Sequence, residues 1–116
     1  MIIIRTPVKP PANSKIIIAR GGYQVIVDAE LYDTLNQFKW FLKKSSHRFY
    51  VCRRKIIRGK TFTIRMHRQI TKCPSWMIVH HINQDTLDNR RANLKVISQR
   101  EHRHFDGWHI FFHENK

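Results

Sequence analysis

The chain has 116 residues, and 22 Lys and Arg against 8 Asp and Glu give it a formal net charge of +14. A hydrophobic content of 41% with 11% aromatics excludes a basic disordered tail; it predicts one folded domain whose natural partner is a polyanion, nucleic acid first. Apolar runs such as Ile16 to Ala19 are far below the roughly 20 residues that span a bilayer, and an N-terminus broken by Pro7, Pro10 and Pro11 is no signal peptide.

In chain order, Lys15 to Ala19 and Tyr23 to Val27 read as strands around the Gly21-Gly22 turn. Asp28 is placed to N-cap a short helix in which Leu31, Leu35 and Phe38 recur at helical spacing, and Trp40 follows as a core residue. These apolar positions are explained by packing, and the first 46 residues carry no chemistry. Cys52 and Cys73 lack C-x-x-C spacing, so they cannot build a disulfide framework and read as reduced thiols of a cytosolic protein.

Residues 47–72 hold nine of the basic residues and no acid. The alternation of Phe49 and Val51, then of Phe62, Ile64 and Met66, around a link containing Gly59 predicts a β-hairpin with its apolar set on the core face. Much of the Arg and Lys set then falls on the opposite face or at the loop. A two-stranded ribbon of this kind fits a DNA major groove, with further charge meeting phosphates. The expected contacts are Arg48, Arg53, Arg54, Lys55, Arg58, Lys60, Arg65 and Arg68. The plainer reading of such a run is a solvated face, and nine cations without an interspersed acid argue against it.

From Met66 onward the texture changes. A short apolar run, Trp76 to Val79, ends on His80-His81; a polar loop rich in Asn and Asp follows; Leu94 to Ile97 reads as a second strand. Ser98 to Glu101 is a capping box that opens a helix, with Gly107 as its stop. Asp88 and Asn89 read as turn-formers, while Arg90 and Arg91 either reach phosphate or sit in a solvated turn.

This stretch, standing here as MHRQI, Pro74, VHHIN, LDNRRANL and SQREH, resembles the ββα-metal motif of HNH (His-Me finger) nucleases, closest to the small phage and intron-encoded homing-type enzymes. The likeness runs over about forty residues, Met66 to Asp106, and the upstream phrase VDAELYDTLNQFKW is similar to the N-terminal half of the same phage proteins. The implied fold class is α+β: an antiparallel β-rich region with a short helix over residues 1–65, then the ββα-metal motif over 66–116, in one compact unit.

The resemblance implies His81 as general base and Asn93 as the residue whose amide ties the loop and holds that base. It implies His102 on the helix and His80 before the base as ligands of one divalent ion, Mg²⁺ or Mn²⁺ first, with Zn²⁺ or Ni²⁺ as alternatives. Many relatives carry Asp at the position of His80, and others a His-His pair, so this departure bears on metal preference. Imidazole suits both tasks: neutral it ligates a metal, and its ordinary pKa of about 6.5 suits deprotonating water. Asp106, four residues after His102, is a candidate extra ligand or supporting partner.

His67 is expected to pack or hydrogen-bond beside the site, with a phosphate contact as the alternative; His104 is ambiguous, and His47, His109 and His113 are structural or exposed. A structural zinc site drawn from Cys73, His80 and His102 is the competing metal reading.

The implied activity is metal-dependent hydrolysis of double-stranded DNA to 5′-phosphate and 3′-hydroxyl ends, nicking as a monomer and cutting both strands as a homodimer. Because the chain ends soon after Gly107, recognition is expected to come mainly from the basic hairpin. The implied setting is the cytoplasm of a bacterial host, with a role in homing or phage genome processing. The rival is a basic DNA-binding protein, not an enzyme, with a structural metal.

Overall fold

The computed structural model describes residues 9–101. Strands β1 (Ser14–Ala19) and β2 (Tyr23–Asp28) form an antiparallel hairpin in register from Ser14 opposite Asp28 to Ala19 opposite Tyr23. The period of two sends Ile17, Ala19, Val25 and Val27 to one buried face. A 3₁₀ turn at Ala29–Leu31 and the short helix α1 (Tyr32–Asn36) follow.

Asp28 precedes this turn without capping it. Its carboxylate instead accepts the backbone N–H of Arg91 at 2.9 Å, 63 residues on, so a local cap gives way to a tertiary one. Phe38 also lies beyond the helix, where it meets Trp40 edge-on at 6.0 Å. Trp40 is buried as expected, and its indole N–H donates to the Leu35 carbonyl at 2.7 Å.

Strands β3 (Phe41–Ser45), β4 (Arg48–Ile57) and β5 (Lys60–Arg65) form an antiparallel sheet in that order. Three features differ from the sequence expectation. Strand β3 joins the hairpin. Met66 does not continue β5 but opens helix α2 (Met66–Thr71), where it is fully buried. And Phe62 is 45% exposed, because the register puts it opposite Lys55, on a stretch where residues 54–63 are exposed on both faces. The arm runs past the body of the protein, so alternation no longer sorts its residues into core and solvent. Arg58 (φ 49°) and Gly59 (φ 79°) supply the two positive-φ positions of a tight hairpin turn.

Strands β6 (Met77–His81) and β7 (Leu94–Ser98) pair antiparallel, with Val79 and Ile97 buried. Trp76 stays outside the strand, 72% exposed. Ser98 Oγ accepts the Glu101 N–H and Glu101 Oε1 accepts the Ser98 N–H, each at 3.0 Å, which is the capping box read from the sequence. Residues 99–101 are helical; His102, His104, Asp106, Gly107, His109 and His113 lie outside the described residues.

Two devices fasten the β6–β7 pair to the rest. Helix α2 packs against β4, β5, β6 and β7. The loop between β6 and β7 lies along β2: the Ile26 N–H donates to the Leu87 carbonyl and the Asn89 N–H to the Ile26 carbonyl, both at 2.8 Å. Met66 sits in the same buried cluster as Ile17, Val25, Val27, Leu35, Trp40 and Val51. Cys52 is buried and Cys73 half-buried, both free thiols. No helix of the described residues is long and apolar enough to cross a membrane.

Candidate active site

Strand β6 ends at His81. Adjacent strand residues point to opposite faces, so His81 goes inward with Val79 while His80, opposite Lys95, is half-buried on the other side.

Inside, His81 Nε2 lies 2.7 Å from Asn89 Oδ1. The Asn89 amide nitrogen lies 3.4 Å from the Met66 sulfur. A thioether can only accept, so the NH₂ of Asn89 faces Met66 and its carbonyl oxygen faces the imidazole. His81 therefore carries its proton on Nε2. Nδ1 keeps the lone pair and makes no hydrogen bond to another described residue. Burial holds the His81 pKa below its ordinary value; the Asn89 hydrogen bond and the charges of Asp85 and Asp88 oppose that, and Arg48 adds to it. The ring is thus neutral and basic at neutral pH.

His67, from the first turn of α2, packs beside this ring with centroids 5.3 Å apart, and Tyr50 of β4 meets His67 edge-on at 5.4 Å. Burial first, then His81, Arg65 and Arg68, push the His67 pKa down to about 3. Its Nδ1 is buried without a hydrogen-bond partner among the described residues.

Asn93, at the end of a 3₁₀ turn (Arg91–Asn93), stitches the loop, and its side chain hydrogen-bonds Asn83 and Asp88 rather than His81. Its Oδ1 accepts the Asn83 N–H at 3.0 Å, and its Nδ2 donates to Asn83 Oδ1 at 2.8 Å and to the Asp88 carbonyl at 2.9 Å. Its own carbonyl accepts the Ile82 N–H at 2.9 Å, one residue beyond the histidine. Asp88 is a second knot. Burial raises its pKa, but two bonds from Arg90 (2.8 and 2.7 Å) and one from Asn83 (3.0 Å) outweigh that and hold it below the ordinary carboxylate value.

The cations predicted to meet DNA divide into three groups. Arg68, Arg90 and Arg91 are committed within the fold: Arg68 donates to the carbonyls of Pro74 (3.1 Å) and Met77 (2.6 Å), Arg90 to Asp88, and Arg91 to Glu30. Arg48, Arg53 and Arg65 make side-chain bonds to Gln84, Gln69 and Ser45, and Arg53, Arg54 and Arg65 lie over the rings of Phe38, Phe41 and Tyr50. The side chains of Lys55, Arg58 and Lys60, exposed on the arm, make no hydrogen bond or ion pair to a described residue.

Sequence reasoning missed Asn89, Asp88, Asn83, Met66 and Tyr50 as parts of this site. Asn and Asp in a polar loop ordinarily signal a turn, and nothing local says that β2 buries this one. Of the expected metal ligands, His80 lies among the described residues and offers an imidazole nitrogen, a suitable donor for a divalent ion, in the residue before His81. Among the described residues no three His, Cys, Asp or Glu side chains gather into a metal cluster.

Residues 72–104 match the family model for HNH endonuclease, less than a third of the chain and the part that contains His80, His81, Asn89 and Asn93. No curated protein and no solved structure matches the chain.

Proposed function

We propose that this protein is a metal-dependent endonuclease that hydrolyses double-stranded DNA with His81 as general base. The observation that carries the proposal is the Asn89–His81 bond, which leaves Nδ1 as the basic nitrogen inside the segment that matches the HNH endonuclease family. Nδ1 accepts a proton from water, the resulting hydroxide attacks phosphorus in line, and the P–O3′ bond breaks, leaving a 5′-phosphate and a 3′-oxygen that takes its proton from solvent. His80, His102 and Asp106 are the residues that would hold a divalent cation, whose part is to stabilise negative charge on the leaving oxygen. Asn93 and Asn89 act as positioning residues, the first through the loop backbone and the second on the imidazole itself.

DNA binding falls to the arm. Lys55, Arg58 and Lys60 meet phosphates, with Arg54 beside them and Arg48, Arg53 and Arg65 nearer its root; Arg68, Arg90 and Arg91 hold the scaffold. As a monomer with one site the protein nicks. The likeness of its sequence to phage and intron-encoded enzymes supports a role in homing or phage genome processing in bacterial cytoplasm. The test is a supercoiled plasmid incubated with the protein in Mg²⁺ or Mn²⁺, with and without chelator. Open circles that form only with metal are expected, and intact plasmid in every metal overturns the enzyme reading in favour of a binding protein.

A further inference from the structure

The tip of the β4–β5 arm carries apolar side chains that no described part of the protein covers. Ile56 is 72% exposed, and Ile57 and Phe62 are each 45% exposed. A Cβ built on Gly59 at the turn would meet nothing within 4 Å, so the tip stands clear of the body. The register fixes how these residues are arranged. Ile57 lies opposite Lys60 and Phe62 opposite Lys55, so Ile57 and Phe62 are diagonal neighbours on one face. Ile56 lies opposite Thr61 on the other face. The arm between Arg53 and Lys60 contains five cations and no acid.

We propose that this tip is a wedge, in which Ile57 and Phe62 on one face and Ile56 on the other enter a DNA base step and unstack it while Lys55, Arg58 and Lys60 hold the flanking phosphates. The proposal rests on DNA being the substrate. A duplex presents charge outside and apolar base faces within, and apolar wedges that part a base step are a recurrent way to kink it. An anionic bilayer would also attract the charge. Bilayer docking, however, calls for apolar residues on one side of an element and cations on the other. Here both faces of the arm are apolar at the end, which suits a slot walled by a base on each side.

The test is unwinding. Plasmid is relaxed by a metal-independent topoisomerase in chelator, so that cleavage is off, with increasing amounts of the full-length protein, and then deproteinised. Wild type is expected to leave negatively supercoiled topoisomers. The variant Ile56→Ser, Ile57→Ser, Phe62→Ser is expected to lose that shift while retaining plasmid in a filter-binding assay and keeping the wild-type thermal midpoint, since none of the three side chains is in the core. Phe62→Leu, still apolar, is expected to keep it. Wild type that binds and nicks plasmid yet leaves topoisomers unchanged overturns the wedge and spares the nuclease reading. A triple variant that unwinds like wild type overturns it too, as does wild type that binds anionic vesicles in place of plasmid.

Discussion

Asn89 Oδ1 and His81 Nε2 lie 2.7 Å apart, both residues buried, with seven residues of loop between them. The pairing exists because β2 captures the loop at Leu87 and Asn89, and because the Met66 sulfur turns the Asn89 amide so that its oxygen faces the ring. Three remote parts of the chain thereby choose which imidazole nitrogen is free.

Replacing Asn89 with Ala removes the acceptor and leaves the Nε2 proton buried without a partner. Supporting residues of this kind typically contribute 10–100-fold, so plasmid nicking by Asn89→Ala should fall by about that factor while plasmid binding is unchanged. Asn89→Asp keeps an oxygen facing Nε2 and should nick faster than Asn89→Ala. Equal rates for the two variants would show that the acceptor is not what matters at this position.

His67 makes stability depend on pH. Its pKa falls from 6.5 to about 3 on folding, so between those values the unfolded chain binds a proton that the folded one does not. Stability conferred by the neutral ring is complete above pH 6.5 and is lost as pH falls towards 3, by about 1.4 kcal/mol per pH unit. His81, whose pKa is also lowered, acts in the same direction. Urea unfolding at pH 5 and pH 7 should show the wild type weaker at pH 5. His67→Phe, which has no group to protonate, should show a smaller difference. An unchanged pH dependence in that variant would remove His67 from the account.

Arg90 and the arm cations should separate cleanly. The Asp88 side chain is 4% exposed and Arg90 answers it with two bonds, so Arg90→Ala should cost about 1–3 kcal/mol of stability, a range that allows for the partial exposure of the arginine. Lys55→Ala, Arg58→Ala and Lys60→Ala together should leave stability near wild type but flatten the salt dependence of plasmid binding, by about 0.9 in the log–log slope for each phosphate contact removed. Chemical denaturation and binding across a salt series distinguish the two.

The strands and the histidine-bearing hairpin were legible because they rest on local signals: alternation in β1, β2 and β7, the glycines at two turns, and the serine and glutamate of the capping box. What was not legible depends on distance in the chain. Asp28 looked like a helix cap because it precedes one, yet its oxygen is taken by Arg91. Phe62 looked like core because it alternates, yet no described residue lies beneath that part of the arm. Arg90 looked available for phosphate until the folded loop placed Asp88 under it. Asn89 carries no local mark of its partner.

The most direct measurement is the rate at which His81→Ala nicks supercoiled plasmid in Mg²⁺ or Mn²⁺, set beside its plasmid binding. Loss of a general base predicts a fall of about 10²–10⁴-fold in rate with binding retained. Nicking at the wild-type rate would contradict the assignment of His81.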